Sequence, residues 1–436
     1  MNIARHLSTR AATVGGVTLL AALLVPLTAE PAGAEPAGAP AYTCAGLRAT
    51  IVGTTGPDRI IGTAGRDVIV GRVGNDFIDG RGGNDVICGN RGGDVLNGGP
   101  GHDRVYGGEG MVDPILEEEG PLPNDTLRGG PGNDRLFPGA QTPTQVPNRI
   151  MYDTATRGIR ANLGKGVIVG EGTDRVPTGK GLWGSSQFIL NGTRFDDVIT
   201  GGRHHDTIFG AAGDDIIRGR DGNDTLVDGA GSGDDFLDGQ GGNDNLMARG
   251  GADVLVGGDG RDTLEDTGRT ADILRGGPGN DFLEDILTRS TNQVIDGGTG
   301  RNLWNFDWTP APAGQPVRSH LITDLVAGSS RFAGHTRSIV TRGVQRIHMT
   351  GVPSSWANAM ARGTWTVTGT GANEEFEVTR TRLVAHGAGG NDLFWGGPLN
   401  DVINGGAGRD ETYGGDGTDT CVSVEINRYR QCENVS

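Results

Sequence analysis

The chain has 436 residues, 80 of them glycine and only 5% aromatic, and its 54 acidic against 38 basic residues give a formal charge of −16. Glycine near 18%, against a usual ~7%, excludes an ordinary composition, and the lack of a three-residue glycine period excludes collagen. The acidic balance argues against nucleic-acid and anionic-membrane partners and suits cations.

Residues 1–34 read as a secretory leader. Arg5 and Arg10 precede the apolar run "VTLLAALLVPL" at 17–27, and "AGA" at 32–34 offers a small-residue cleavage site. The run is well short of the ~20 residues that span a bilayer, so no membrane span is expected in the mature chain. Two arginines and Glu30 sum to +1, so cleavage takes the charge from −16 to −17. The expected location is secreted, extracellular. Four cysteines in an exported chain predict two disulfides with three possible pairings. Position favours Cys44–Cys88 at one end and Cys421–Cys432 at the other. Lys165 and Lys180 are the only lysines against 36 arginines, a bias that fits a G+C-rich genome such as an actinobacterium's.

After an N-terminal cap (35–52), an aspartate recurs every nine residues. The block 53–110 carries Asp58, Asp67, Asp76, Asp85, Asp94 and Asp103. A short partial block, 111–139, holds Asp125 and Asp134. A degenerate stretch (140–191) follows, and then the main block, 192–285, with Asp197, Asp206, Asp215, Asp224, Asp235, Asp244, Asp253, Asp262, Asp272 and Asp281. Its beat stretches by two residues at "DGAGSGDD" and by one at "DTGRTAD". Residues 286–386 degenerate again. The last block, 387–422, brings Asp392, Asp401, Asp410 and Asp419, and 423–436 form a disulfide-closed cap. The unit is Gly-Gly-x-Gly-x-Asp-x-(Ile/Leu/Val/Phe)-x, complete in "GGPGHDRVY" (98–106) and "GGPGNDFLE" (276–284).

This nonapeptide resembles the RTX, or haemolysin-type, calcium-binding repeat. The resemblance implies an all-β parallel β-roll solenoid: six residues turn, three form a strand, eighteen complete a coil. It also implies several Ca²⁺ ions, with the 22 aspartates as ligands. The physics of the residues agrees. Glycines at the first, second and fourth places permit the positive φ of a sharp turn. The central strand residue, as at Ile69, Ile78 and Ile87, points inward, and its neighbours, illustrated by Arg66 and Asp79, are expected to be outward and polar or variable. Alternate repeats fall on opposite edges, so Asp58, Asp76 and Asp94 line one and Asp67, Asp85 and Asp103 the other. At a strand spacing of about 4.8 Å, unit charges repel by about 0.9 kcal/mol in water and about 3.5 kcal/mol at an effective dielectric of 20. Hard oxygen ligands in flexible loops favour Ca²⁺ over Mg²⁺, so calcium is expected to drive folding. Asp125, Asp134, Asp272 and the block ends are the weakest expected ligands.

The stretches 140–191 and 303–386 keep strand-like runs: "GVIVG" (166–170), "SHLITDLV" (319–326) and "GTWTVTG" (363–369). Asn302 and Glu374 stand where aspartate belongs. These stretches read as coils without calcium, as strand-rich inserts on the same roll, or as a separate β-domain carrying an activity. Catalytic motifs are absent: there is no H-E-x-x-H helix and no G-x-S-x-G elbow. His204 and His205 occupy a turn, and His320, His335, His348 and His386 lack ligand spacing. The pairs Glu374–Glu375 and Asp214–Asp215 invite a glycosidase reading, but adjacent strand residues point apart. No amphipathic pore-forming segment supports a toxin. The expectation is a secreted, non-enzymatic calcium-binding solenoid with a structural or adhesive role, its partner a cell-surface or extracellular polymer. The competing reading is a carbohydrate-active β-helix enzyme or toxin-like protein on the same scaffold.

Overall fold

The computed structural model describes residues 42–108, 124–139, 147–177, 188–229, 231, 233–268, 272–287, 293–308, 320–324, 329–332, 338–342, 344–350, 364–378, 382–424, 426–427 and 432–435. The leader expected at 1–34 lies outside the described residues. What is described is a β-solenoid with one short 3₁₀ turn, Leu163–Lys165. Glycine turns leave room for three-residue strands such as Arg59–Ile61 and Phe77–Asp79, which pair in parallel eighteen residues apart, Ile60 beside Ile78.

Successive strands alternate between two sheets. Sheet I runs from Arg59–Ile61 to Ile426–Asn427 and is parallel throughout. Sheet II runs from Ile51–Val52 to Cys432–Val435. Neither closes into a barrel, because the first and last strand of each has a single neighbour.

The inward strand residues form one continuous core. Ile60, Ile78, Leu96 and Leu127 stack along sheet I, and Ile69, Ile87, Val105 and Leu136 along sheet II. The same columns continue as Ile208, Leu226, Leu246 and Leu264 facing Ile217, Leu237, Leu255 and Leu274. Towards the C-terminus the core residues enlarge to Trp304, Trp365, Phe376 and Phe394, with rings of the last two 5.5 Å apart.

The outward positions depart in part from expectation. Asp79 flanks its strand as expected, and so do Thr200, Arg218 and Asp238, but Arg66 sits in a turn, one residue before Asp67, and the leading flank of the sheet II strands in the main block is apolar. Val198, Ile216, Phe236, Val254 and Ile273 stack there half-buried. In the first block the same outward positions, Val68, Val70 and Val86, are buried beneath the N-terminal hairpin Thr43–Cys44/Leu47–Arg48, with Tyr42, Leu47 and Ala49 against them. The Cys44–Cys88 disulfide staples that hairpin down, Cα to Cα 5.7 Å. At the other end Cys421, an inward core residue, pairs with Cys432, Cα to Cα 5.8 Å.

Both lapses in the repeat are antiparallel meanders spliced into sheet II. The strands Arg160–Asn162, Val167–Val169 and Thr173–Arg175 bridge Arg135–Phe137 to Val198–Thr200. In the same way His320–Asp324, Ser329–Phe332 and Ser338–Arg342 bridge Val294–Thr299 to Thr364–Thr368. Sheet I passes both without interruption.

Candidate metal centre

Each repeat aspartate immediately precedes a strand or, at Asp206 and Asp419, begins one, and stacking of the coils sets these aspartates in two columns, one per edge. One carboxylate oxygen is fixed by the backbone of the preceding coil. Asp58 N donates to Asp76 Oδ1 at 2.9 Å and Asp76 N to Asp94 Oδ1 at 2.8 Å. On the opposite edge Asp67 N donates to Asp85 Oδ1 at 2.8 Å and Asp85 N to Asp103 Oδ1 at 2.7 Å. The main block continues this way through Asp206, Asp224, Asp244, Asp262 and Asp281 on one edge. Asp197, Asp215, Asp235, Asp253 and Asp272 form the other. The C-terminal block pairs Asp392 with Asp410 and Asp401 with Asp419. The imperfect spacing before Asp125 and Asp134 leaves the columns unbroken, since Asp94 N and Asp103 N reach their Oδ1 atoms at 2.9 and 2.8 Å.

The second oxygen is a different matter. In Asp76, Asp85, Asp94, Asp103, Asp125, Asp134, Asp215, Asp224, Asp244, Asp253, Asp262, Asp281 and Asp392, Oδ2 is buried with no hydrogen-bond donor among the described residues. In all but Asp125 and Asp253 it is crowded against the first glycine of its own turn. A Cβ added at Gly80 would lie 2.6 Å from Asp85 Oδ2 and 2.7 Å from the next coil's Gly98 carbonyl oxygen. The missing side chain thus lets a carboxylate and a carbonyl converge, two acceptors with no donor between them. The fourth glycine serves the stacking itself: Gly74, at φ +136°, would put a Cβ 2.6 Å from the Gly56 carbonyl. Burial raises these carboxyls. Asp94 and Asp103 are pushed up to about 7, and Asp125, Asp134 and Asp215 to about 8. Desolvation is the largest cause; the column neighbour's charge adds to it, and the donated backbone N–H opposes it.

Where a column starts or lapses, a protein donor fills the gap. Thr54 N, Thr63 N, Thr193 N, Gly202 N and Gly397 N donate to Oδ2 of Asp58, Asp67, Asp197, Asp206 and Asp401 at 2.5–2.8 Å, so these aspartates cap their own turns. Tyr152 OH donates to Asp174 Oδ2 at 2.7 Å where the first meander joins the column. Asn302 is the most informative. Its Oδ1 accepts from Asp281 N like any column aspartate, and its Nδ2 donates to the Gly297 carbonyl at 2.6 Å. Asn148 does the same with Pro138 O. An amide therefore satisfies the carbonyl that an interior aspartate meets with an anionic oxygen, so the aspartate turns need a cation there. The donors are all oxygens in glycine turns, which fits Ca²⁺ and not a thiolate or imidazole metal.

The family model described as RTX calcium-binding nonapeptide repeat (4 copies) matches residues 52–87, 86–110, 124–144, 191–226, 229–264, 266–284 and 386–421. The columns and these matches define a calcium-binding β-roll: the chain carries RTX calcium-binding repeats along its length, with multiple Ca²⁺ ions held in stacked turns. No curated protein matches it.

Other candidates have different places. His204 and His205 are exposed, and His205 Nδ1 accepts from Asn223 N at 2.6 Å. That bond belongs to an outer ladder that the sequence reading missed, formed by the residue before each aspartate: Gly93 N to Asn75 Oδ1, His102 N to Asn84 Oδ1, Asp234 N to Asp214 Oδ1. The recurrent "ND" pair was its signal. Glu374 is a buried column residue that accepts from Thr370 N, its backbone N donating to Asp392 Oδ1, whereas Glu375 begins a strand and is half-buried. Also missed were Asp228, Asp266 and Asp285, buried at the place of the first glycine.

Proposed function

We propose that this chain is an extracellular scaffold that calcium folds, with no catalysis of its own and with a cell-surface or extracellular polymer as its partner. One observation carries the calcium-dependent folding. Buried Oδ2 atoms of interior aspartates such as Asp76, Asp94, Asp215 and Asp244 lack donors among the described residues, while Asn302 and Asn148 supply an amide hydrogen at the equivalent place. Buried carboxylates without counter-charge oppose folding, and ions that bind only the folded state reverse that. Export is supported by the leader-like residues 1–34 and by cysteines that are all paired. Among the described residues no helix is long and apolar enough to cross a membrane.

Circular dichroism and calorimetry of the chain without residues 1–34 test the folding. The strand signal should rise cooperatively with calcium and hardly with magnesium. A full strand signal in excess chelator, with melting indifferent to calcium, would mean that the aspartates only cap turns. The adhesive role is tested by pull-down on extracellular polysaccharides with and without calcium. The same polymers serve as substrates for Glu374→Ala and Glu375→Ala, where turnover lost in either variant would favour a glycosidase.

A further inference from the structure

The two turns where the nine-residue beat stretches, 228–235 and 266–272, both begin with aspartate at the place of the first glycine. In a regular turn such as 257–262 that place has no room, and in the unstretched turn of Asp253 it takes nothing larger than Ala248. A Cβ at Gly257 would collide with Asp262 Oδ2 and lie 2.6 Å from the Gly276 carbonyl. The inserted residues coincide with the two side chains that need space.

These side chains lie near the C-terminal ends of their strands, midway along sheet I. Asp228 lies one step beyond the Val227–Met247 pair, Ala248 is beside Asp266, and Asp266 is beside Asp285. Each meets motif aspartates across the turn. One carboxylate oxygen from each of Asp228, Asp235 and Asp253 lies within 4.8 Å of the others, and so do oxygens from Asp253, Asp266 and Asp272. All five residues are buried, none more than 5% exposed. Asp228 Oδ2 accepts from Arg249 N and Asp266 Oδ1 from Gly268 N, leaving Asp228 Oδ1, Asp253 Oδ2 and Asp266 Oδ2 buried without a donor.

The next turn supplies an internal comparison. There Gln293 replaces the motif aspartate, and its Nε2 donates to Asp285 Oδ1 at 3.0 Å. An amide donor accompanies the first-place carboxylate where the motif aspartate is gone. The two preceding turns place motif carboxylates there instead.

We propose that Asp228–Asp235–Asp253 and Asp253–Asp266–Asp272 form two carboxylate-walled cation sites sharing Asp253, which bind Ca²⁺ more tightly than the glycine-walled sites of the same roll. Each site gathers three formal negative charges, and calcium affinity in oxygen sites rises with ligand charge. The inference rests on the calcium reading above and deepens it, because these two sites fill first and hold the middle of the main block while the weaker sites fill around them.

Calorimetric titration of the full chain with calcium chloride tests this. The isotherm should resolve a tight class of two ions, roughly tenfold tighter than the rest. Asp228→Asn should remove one ion from that class, and Asp266→Asn one also. Both variants should keep the weaker class and the strand spectrum at saturating calcium. Asp228→Gly, which restores the motif residue, should repeat the loss if the asparagine variant does not fold. A single class of sites in the unsubstituted chain, or both variants retaining the tight class, would overturn the proposal while leaving the general calcium reading intact. No calcium binding at all would sink both.

Discussion

An interior aspartate such as Asp94 spends one oxygen on the backbone of the preceding coil and leaves the other for a cation, and a one-atom change separates the two uses. Asp94→Asn keeps an acceptor for Asp76 N and places an amide against the Gly89 turn, as Asn302 does at Gly297. It should remove calcium from that turn yet raise metal-free stability by about 1 kcal/mol, the net worth of a hydrogen bond. Melting in chelator and calcium stoichiometry read the two effects, and a variant no better than Asp94→Ala in chelator would contradict this use of the oxygens. Asp125 makes a second case. Its irregular spacing predicts a weak ligand, but its column geometry matches the regular repeats. Asp125→Ala should therefore weaken calcium binding as much as Asp76→Ala, and a clearly smaller effect in titration would restore the spacing argument. The nine-residue period made the columns and their alternation legible because stacking follows from periodicity. The amide substitutes and first-place aspartates were not legible. In one dimension they look like decay of the motif, and only stacked coils bring Asn302 to a carbonyl or Asp228 to Asp253.

Elements without calcium compensate by other means. Where aspartate columns lapse, the solenoid carries Trp304, Trp365 and Phe376 in its core, with Trp365 and Phe376 packed edge to face at 6.3 Å. Larger apolar burial replaces ionic bridging there. Phe376→Ala should cost about 3–5 kcal/mol, and should do so equally at low and at saturating calcium if that coil is held by packing. Denaturant melts under both conditions check this, and a loss seen only at saturating calcium would tie the coil to the ions. The end staples belong to this scale as well. Removing Cys44–Cys88, with a sequence separation of 44, should cost about 4 kcal/mol. Removing Cys421–Cys432, with a separation of 11, should cost about 3 kcal/mol. Urea melts of the paired serine variants measure both, and no change would mean that the caps hold by packing alone. Both pairings were readable from position, since each joins cysteines near one end. The meanders were readable only as strand-rich departures. Their antiparallel splice depends on which strand of sheet II they rejoin, and no local pattern specifies that.

Across the whole molecule the raised carboxyls give stability an unusual pH dependence. The metal-free folded state holds protons on groups such as Asp94, Asp125 and Asp215 up to about 7 or 8, whereas the unfolded chain releases them near 3.8. Between these values the folded state binds more protons, so metal-free stability is fullest below pH ~4 and is lost as pH rises through ~8. Calcium requires the deprotonated form and is expelled by acid. Melting temperature should therefore rise on acidification from pH 8 to pH 5 in chelator and fall over the same range in calcium. Parallel slopes in the two series would show that these carboxyls are not the ion's ligands. The backbone bonds also give the columns a direction. Inside a column the aspartate Oδ1 is held by an N–H of the coil before it, as at Asp76, Asp94, Asp224, Asp244 and Asp410. A finished coil therefore presents a row of donors that seats the carboxylate of the next. A chain delivered N-terminus first would always find its template already built. Growth then resembles addition at a crystal step, one coil and its ions at a time, beginning at the first coils, which the Cys44–Cys88 hairpin staples.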